Sequence, residues 1–413
     1  MDFYHILVYA ASFFGIFSAT LFFMLFFDES NRKRFSAKTP KNLPSISIII
    51  PAYNSEKGVE RSIKNALSLD YPREKLEVIV VDDGSTDKTY EIASTFEKKG
   101  VKIFHIPHSG KGKALNVGIS NSKGELIANL DADSFLDKDA LLKMVGFFDK
   151  PEVMAVTPSI KIFNPDTIAQ KVQFFEFLLS SIVKKAFSYL GAMPIATGAS
   201  TLFRKQFFEK HGGYHEHIIA EDGEVSLRIA KEGYLIEHAM DVAVHTSGLK
   251  TFKGFFNQRL RWSKGLFDCL LIHKSLFHPK HGNIAIMVLP LMLVSILLSL
   301  VVVGYSLFTF AKTFIQNIHN FYLVGFDTNS ILDFSFDIYN VNVSETVILP
   351  IMLLLTSFFL IYLCKRYSKE QHTILHPYFL FFLTYWFISA SSSVMAILYK
   401  LLGKKIKWGD RYL

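Results

Sequence analysis

The chain has 413 residues, half of them hydrophobic and 40 of them Phe, with 45 Lys and Arg against 37 Asp and Glu for a formal charge of +8. A mean hydropathy of +0.26 exceeds what one soluble core needs and points to a soluble domain joined to membrane spans. The basic residues cluster beside apolar runs, where they orient spans and meet anionic lipid, so nucleic acid is not expected as a partner. The two cysteines, Cys269 and Cys364, exclude a disulfide framework or a zinc site and read as packing residues.

Residues 1–30 form an N-terminal transmembrane anchor. Phe3 to Phe27 carries no formal charge, is long enough to cross a bilayer as a helix, and precedes no small-residue cleavage pattern, so it reads as retained. Residues 31–45, with Arg32-Lys33-Arg34 and two prolines, suit a linker. Residues 46–250 read as one soluble domain. Ile46 to Ile50 is a buried strand stopped by Pro51 and Asn54, and a helical pattern follows at Val59, Ile63, Ala66 and Leu67. The strand Val78 to Val81 stops at Asp82-Asp83-Gly84-Ser85. A helix, the strand Val101 to Ile106, a helix from about Lys113 and the strand Leu126 to Leu130 follow, ending at Asp131. This alternation predicts an α/β fold, Rossmann-like, with a mostly parallel sheet and helices on both faces. Such sheets bind ligands beyond the carboxyl ends of their strands, where Asn54, Asp83 and Asp131 stand.

Val172 to Tyr189 is amphipathic and ends on Lys184-Lys185, which fits a core helix or a helix lying in the membrane interface. Residues 251–283, which carry Gln258-Arg259-Leu260-Arg261-Trp262, read as an interfacial helical segment. Residues 284–413 form a C-terminal membrane region with spans expected at 284–310, 346–364 and 374–399. Basic residues follow the first span and, at Lys365, Arg366 and Lys369, the third, while Thr313 to Glu345 has none. The positive-inside rule therefore puts the soluble domain in the cytoplasm and that loop outside, making the chain a multi-pass protein of the plasma membrane. Four spans leave Lys404, Lys405, Lys407 and Arg411 outside, against the same rule, unless one apolar stretch is re-entrant or interfacial.

Each polar motif has a bland reading of its own. Asp82-Asp83-Gly84-Ser85 is a strand-end turn or a pair of acceptors for a ribose or uracil-type base. Gly110-Lys111-Gly112-Lys113 lacks the spacing of a Walker loop, and no GxGxxG occurs. Asp131-Ala132-Asp133 is a solvated loop end or a pair of carboxylates sharing a hard divalent ion with a diphosphate. Asp222, beside Glu221, is a helix cap or a general base. Arg261-Trp262 is an interface anchor, or a fixed cation for a diphosphate beside an aromatic face for a sugar.

Taken in order, Asp82-Asp83, Lys111, Asp131-x-Asp133, Thr197-Gly198, Glu221-Asp222 and Gln258-x-x-Arg261-Trp262 resemble the family 2 glycosyltransferases of the D, DxD, ED, QxxRW type. That group includes membrane-embedded cellulose, hyaluronan and poly-N-acetylglucosamine synthases, and the likeness covers about Ile46 to Leu271. The resemblance implies a GT-A fold, a UDP-sugar donor, a divalent cation (Mg²⁺ or Mn²⁺), and inverting transfer to a growing β-linked polysaccharide. It makes Asp222 the base, with Glu221 supporting it at the acceptor side. Asp82, Asp83 and Lys111 hold the nucleotide, Asp131 and Asp133 hold the metal and diphosphate, Gln258 and Arg261 bind the diphosphate, and Thr197, Gly198 and Trp262 border the acceptor.

The alternative is transfer of one sugar to a membrane lipid: three spans after the domain are few for a chain-secreting channel. Trp408-Gly409-Asp410-Arg411-Tyr412 is also similar to lipid glucosyltransferases of the ceramide type. A transport or scaffolding protein with a dead transferase fold is a third reading, opposed by the presence of every acidic motif position.

Overall fold

The computed structural model describes residues 2–33, 35–324, 345–367, 370, 372–404, 407–408 and 411–412. The sheet begins with β1 (Ile46–Ala52) and β2 (Leu76–Asp82), which pair in parallel. Side chains alternate between the faces of a strand, and here both faces are apolar. Ile46, Ile48, Ile50, Val78 and Val80 join one core cluster, and Ile49, Ile79 and Val81 join another. A strand buried on both sides has no polar alternation, which is why β1 reads as a continuous apolar run.

β3 (Lys102–His105), β4 (Leu126–Asn129), β5 (Phe135–Leu136), β6 (Val153–Ile162), β7 (Leu202–Arg204) and β8 (Leu235–Thr246) complete an eight-stranded sheet of order β3-β2-β1-β4-β7-β6-β8-β5. β7 is antiparallel to β4 and β6, and β5 to β8; the other pairings are parallel. The expected mostly parallel sheet is present. Its antiparallel members are strands of three and two residues, too short to leave a periodic signal. The helices α3 (Val59–Leu67), α4 (Thr89–Ser94) and α5 (Lys111–Ser120) pack on β1, β2 and β3, and α6 (Ala140–Val145) packs on β6 and β8.

Helix α7 (Ile168–Tyr189) starts at a capping box of Thr167 and Gln170. α8 (Lys205–His211), α9 (Glu221–Lys231) and α10 (Phe252–Ile272) follow. Most of α7 is buried, packed on β6 and β8 on one side and on membrane helices on the other, so it is a core helix.

Among the described residues four stretches are long and apolar enough to cross a membrane: Phe3–Phe27, Ile284–Leu323, Val347–Tyr367 and Leu375–Leu401. They lie in α1 (Phe3–Phe27), α11 (Leu289–Val324) with the wide turn before it, α12 (Glu345–Tyr367) and α13 (Leu375–Leu401). The second differs from the sequence expectation. Its helix passes residue 310 and Lys312 and continues to Val324, because Phe314, Ile315, Ile318, Phe321 and Tyr322 extend the apolar pattern with no helix breaker. The remainder of the expected outer loop, with the sequon at Asn342, lies outside the described residues, as do Arg34, Lys369, Lys405, Gly409 and Asp410. The tail segments Lys407–Trp408 and Arg411–Tyr412 pair antiparallel through their backbones.

One apolar cluster runs from Ile49 of the sheet through Phe175 and Phe187 of α7 to Leu360 of α12 and Phe381 of α13. α1 joins it through Phe22, whose ring lies 6.3 Å from that of Phe187. Both cysteines are buried, as packing residues should be. At the end of this layer, Glu176 of α7 pairs with Arg259 of α10 and accepts a 2.8 Å hydrogen bond from the Tyr385 hydroxyl of α13. Arg259 is 4% exposed, so removing one partner leaves a buried charge without its counter-ion. Glu176→Ala is expected to destabilise the detergent-solubilised protein by about 3–5 kcal/mol. Thermal unfolding of Glu176→Ala beside Glu176→Ala/Arg259→Leu checks it, the double variant being the more stable of the two.

Candidate active site

The strand ends converge as the fold requires. Asp82 closes β2 and Asp83 follows it; Asp131 and Asp133 follow β4. Lys111, the first residue of α5, crosses between the motifs, with Nζ 2.7 Å from Asp131 Oδ1 and 3.5 Å from Glu221 Oε1. One side chain thus joins the DxD and ED motifs, which lie far apart in sequence. Burial alone would push the Lys111 ammonium down, but Asp131, Glu221 and Asp222 outweigh it and hold the group above its ordinary range.

The carboxylates are correspondingly crowded. Burial raises Asp133, and Asp131 raises it further. Burial pushes Glu221 up to about 7, with Lys111 opposing and Asp222 adding to the rise. Arg261 of α10 faces the same group: burial lowers it, while Glu221, Asp222 and Asp131 hold its proton on.

Glu221 and Asp222 open α9. The cap position is Ala220, whose side chain offers no cap, so the bland reading of Asp222 as an N-cap does not hold. Asp222 Oδ1 accepts from the Gly223 amide at 2.9 Å. Its other oxygen faces Gly198, where a Cβ would lie 2.5 Å from Oδ2. Gly265 makes the second close approach: a Cβ there would lie 2.5 Å from the Ala220 Cβ, so α10 docks directly on the turn that presents Glu221 and Asp222. That contact sets the distance between the ED motif and Gln258, Arg261 and Trp262, one helix face away. Trp262 is 40% exposed, and the Arg259 guanidinium sits 4.1 Å from its ring centroid. Arg259 also donates to Gln258 Oε1 at 2.7 Å.

Asp82 and Asp83, which the resemblance assigns to the nucleotide, make close contacts within the protein. Asp82 has no exposed surface, and its Oδ2 meets His105 Nδ1 at 2.6 Å and accepts from the Ser85 amide at 3.3 Å. Both Asp83 oxygens accept backbone N–H groups, from Ser109 at 2.6 Å and from Gly110 at 2.8 Å, and His108 Nδ1 stands 2.9 Å away. Here the pair builds the loop that leads into α5 and delivers Lys111. His108 stacks on Tyr53 at a centroid distance of 4.0 Å, so the segments that follow β1 and β3 share an aromatic wall.

Thr197 donates its amide to Thr157 Oγ1 at 2.9 Å and accepts from Lys184 Nζ at 2.7 Å. Lys184 of α7 is thus a site residue the motif reading missed; the signal available was two lysines ending an apolar helix. Tyr214 was also missed. Its hydroxyl is buried without a hydrogen-bond partner, and burial first, then Glu221, raises it.

Among the described residues no three His, Cys, Asp or Glu side chains group as a metal site. The residues present still fit a divalent cation. Asp131 stands close enough to Asp133 to raise its proton affinity, and a dication beside them would relieve that, with phosphate oxygens completing its coordination.

The pattern of Glycosyl transferase family 2 matches residues 47–212. The poly-beta-1,6-N-acetyl-D-glucosamine synthase of Staphylococcus aureus is 30% identical over 278 residues, 66% of this chain and 67% of that one. The chain belongs to the family 2 glycosyltransferases. The enzyme of the same name from Staphylococcus epidermidis is 32% identical over 245 residues, 58% of this chain and 59% of its own, so the match spans about three-fifths of that relative. A mannosyltransferase from Pyrobaculum calidifontis, solved with GDP-Man and Mn²⁺, superposes with a TM-score of 0.62 at 21% identity, covering 97% of this chain and 99% of that one. At that identity the likeness is one of fold.

Two consequences are measurable in this family 2 glycosyltransferase. Gly198→Ala should displace the Asp222 carboxylate with little change in melting temperature; a misplacement of about 1 Å lowers turnover by roughly 100-fold, and UDP release beside thermal unfolding reads both. Glu221 titrates higher folded than unfolded, so the folded state holds the extra proton and stability falls as pH rises from about 4.5 to about 7. Glu221→Gln should therefore raise the melting temperature of the ligand-free protein at pH 8 and leave it nearly unchanged at pH 4.

Proposed function

We propose that this chain is an inverting, metal-dependent membrane glycosyltransferase that transfers a sugar from a UDP-sugar to a growing β-linked polysaccharide at the cytoplasmic face. The observation that carries the reading is Lys111 bridging Asp131 and Glu221, with Asp222 and Arg261 facing the same group. It supports a diphosphate subsite of fixed cations and carboxylates directly beside a general base. The poly-N-acetylglucosamine synthases of Staphylococcus to which the chain is similar make UDP-N-acetylglucosamine the first donor to test. The basic residues that follow the first and third apolar helices support the cytoplasmic placement.

In the proposed mechanism an acceptor hydroxyl lies between Asp222 and the exposed face of Trp262. Asp222 takes its proton as the oxygen attacks the anomeric carbon from the side opposite UDP. The bond to the β-phosphate oxygen breaks, and Arg261 and Lys111 meet the charge that develops on the leaving diphosphate. One displacement inverts the anomeric centre, so an α-linked donor gives a β-linked product and no enzyme nucleophile is needed. A divalent cation at Asp131 and Asp133, when bound, supplies further neutralisation of the diphosphate. Gln258, held by Arg259, lies on the same helix as Arg261 and supports the diphosphate side. Asp82 and Asp83 preorganise the nucleotide side by fixing the loop before Lys111.

Purified protein given a panel of UDP-sugars with Mg²⁺ or Mn²⁺ should release UDP from one donor preferentially, and product sizing should show a ladder of long polymer. A single glycolipid would replace the polysaccharide by a lipid acceptor. Asp222→Asn is expected to lower UDP release by about 10²- to 10⁴-fold; release at the wild-type rate would remove Asp222 from its role.

A further inference from the structure

None of the motifs includes α7, yet this helix reaches the site at its C-terminal end. A lysine there is costly: an ammonium loses hydration when buried and must regain it from protein groups. Lys184 regains it from two. Its Nζ donates to Thr197 Oγ1 at 2.7 Å, and Asp222 is the charge acting on it. Burial pushes this ammonium down to about 8, with Asp222 working in the opposite direction.

Thr197 is fixed from its other sides. Its amide donates to Thr157 Oγ1, its hydroxyl lies 3.4 Å from Pro158 O, and its carbonyl accepts from Thr201 Oγ1. The next residue is Gly198, against which the Asp222 carboxylate rests. The turn is under tension as well. Ser200 adopts φ +62°, a left-handed conformation rare for a side chain other than Gly, and Asn129 Nδ2 holds the Gly198 carbonyl at 2.6 Å. Lys184 therefore meets the two sides of one contact: the turn through Thr197, and the carboxylate that packs on it through charge.

Three cations act on the carboxylate group at the site, and they divide by position. Lys111 contacts Asp131 and Glu221, and Arg261 is influenced by Glu221, Asp222 and Asp131, which associates both with the diphosphate side. Lys184 touches Thr197, and among the described residues Asp222 is the carboxylate that acts on it.

We infer that Lys184 is a positioning residue for the acceptor half of the site, holding the Thr197–Gly198 turn and Asp222 in register so that the base meets the incoming hydroxyl. This rests on the reading of Asp222 as the base. An ammonium carries three donors, so Lys184 can hold Thr197 without losing its charge opposite Asp222.

The test uses full-length protein in detergent with UDP-N-acetylglucosamine, a short β-linked N-acetylglucosamine oligomer as acceptor, and separate measurement of sugar transferred and sugar hydrolysed. Lys184→Met and Thr197→Val are each expected to lower kcat for transfer by about ten- to a hundredfold, the scale of a charge-assisted hydrogen bond. Hydrolysis of the donor should fall less than transfer, and the Kd for UDP should stay within about twofold, since a twofold change is well under one hydrogen bond. The double variant should be no slower than the slower single variant, because the two side chains act through one contact. Lys184→Arg, which keeps the charge and a donor, should recover most of the transfer rate; it also keeps the test decisive if Lys184→Met does not fold.

Wild-type transfer by Lys184→Met would overturn the inference. So would effects of Lys184→Met and Thr197→Val that multiply, or a loss of UDP binding in step with transfer. Asp222→Asn separates the two levels. If it transfers at the wild-type rate, the base assignment falls and this inference with it. If Asp222→Asn is inactive and Lys184→Met is unimpaired, only the role of Lys184 falls.

Discussion

The site depends on one shared cation. Lys111 stands between Asp131, which follows β4, and Glu221, which opens α9. Without it, Asp131, Asp133, Glu221 and Asp222 would repel one another in a poorly hydrated space, and the carboxyl ends of the strands could not close around them. Even with it the balance is incomplete, since Glu221 and Asp133 are both raised. A site in that condition favours whatever brings positive charge with it, which is the property that a metal–diphosphate donor complex would use.

The rest of the molecule can be read as the means of holding that cluster at a membrane. One apolar core runs from the sheet into the spans, with α7 as the shared layer. α7 also carries two polar attachments, about two turns apart: Glu176 grips Arg259 beside Gln258 and Trp262, and Lys184 grips Thr197 beside Asp222. Tyr385 brings the last span into the first of these. The membrane helices and the acceptor walls are therefore mounted on one helix, and the catalytic domain does not hang from a flexible tether.

Much of this was legible in the sequence. Apolar strands ending in carboxylates gave the sheet and the place of the site, because strands buried on both faces leave a continuous signal and their ends must be polar. The motif order placed Lys111, Asp131, Glu221, Asp222 and Arg261 together. What escaped was long-range and short-lived along the chain. β5 and β7 are too brief to show a period. The helix continuing to Val324 was cut short by a lone Lys312, although the apolar pattern resumes beyond it. Asp82 and Asp83 looked free to meet a nucleotide because sequence cannot show that the Ser109 and Gly110 amides and His105 already occupy them. Lys184 and Glu176 were hidden for the same reason: their partners lie on other elements.

The central claim, that these carboxylates and cations form a diphosphate–metal subsite, is tested most directly by calorimetric titration of UDP into the purified protein with and without Mg²⁺. The account predicts binding that strengthens when Mg²⁺ is present and a loss of that gain in Asp131→Ala and Asp133→Ala. UDP binding that is indifferent to Mg²⁺, or equal in wild type and both variants, would contradict it.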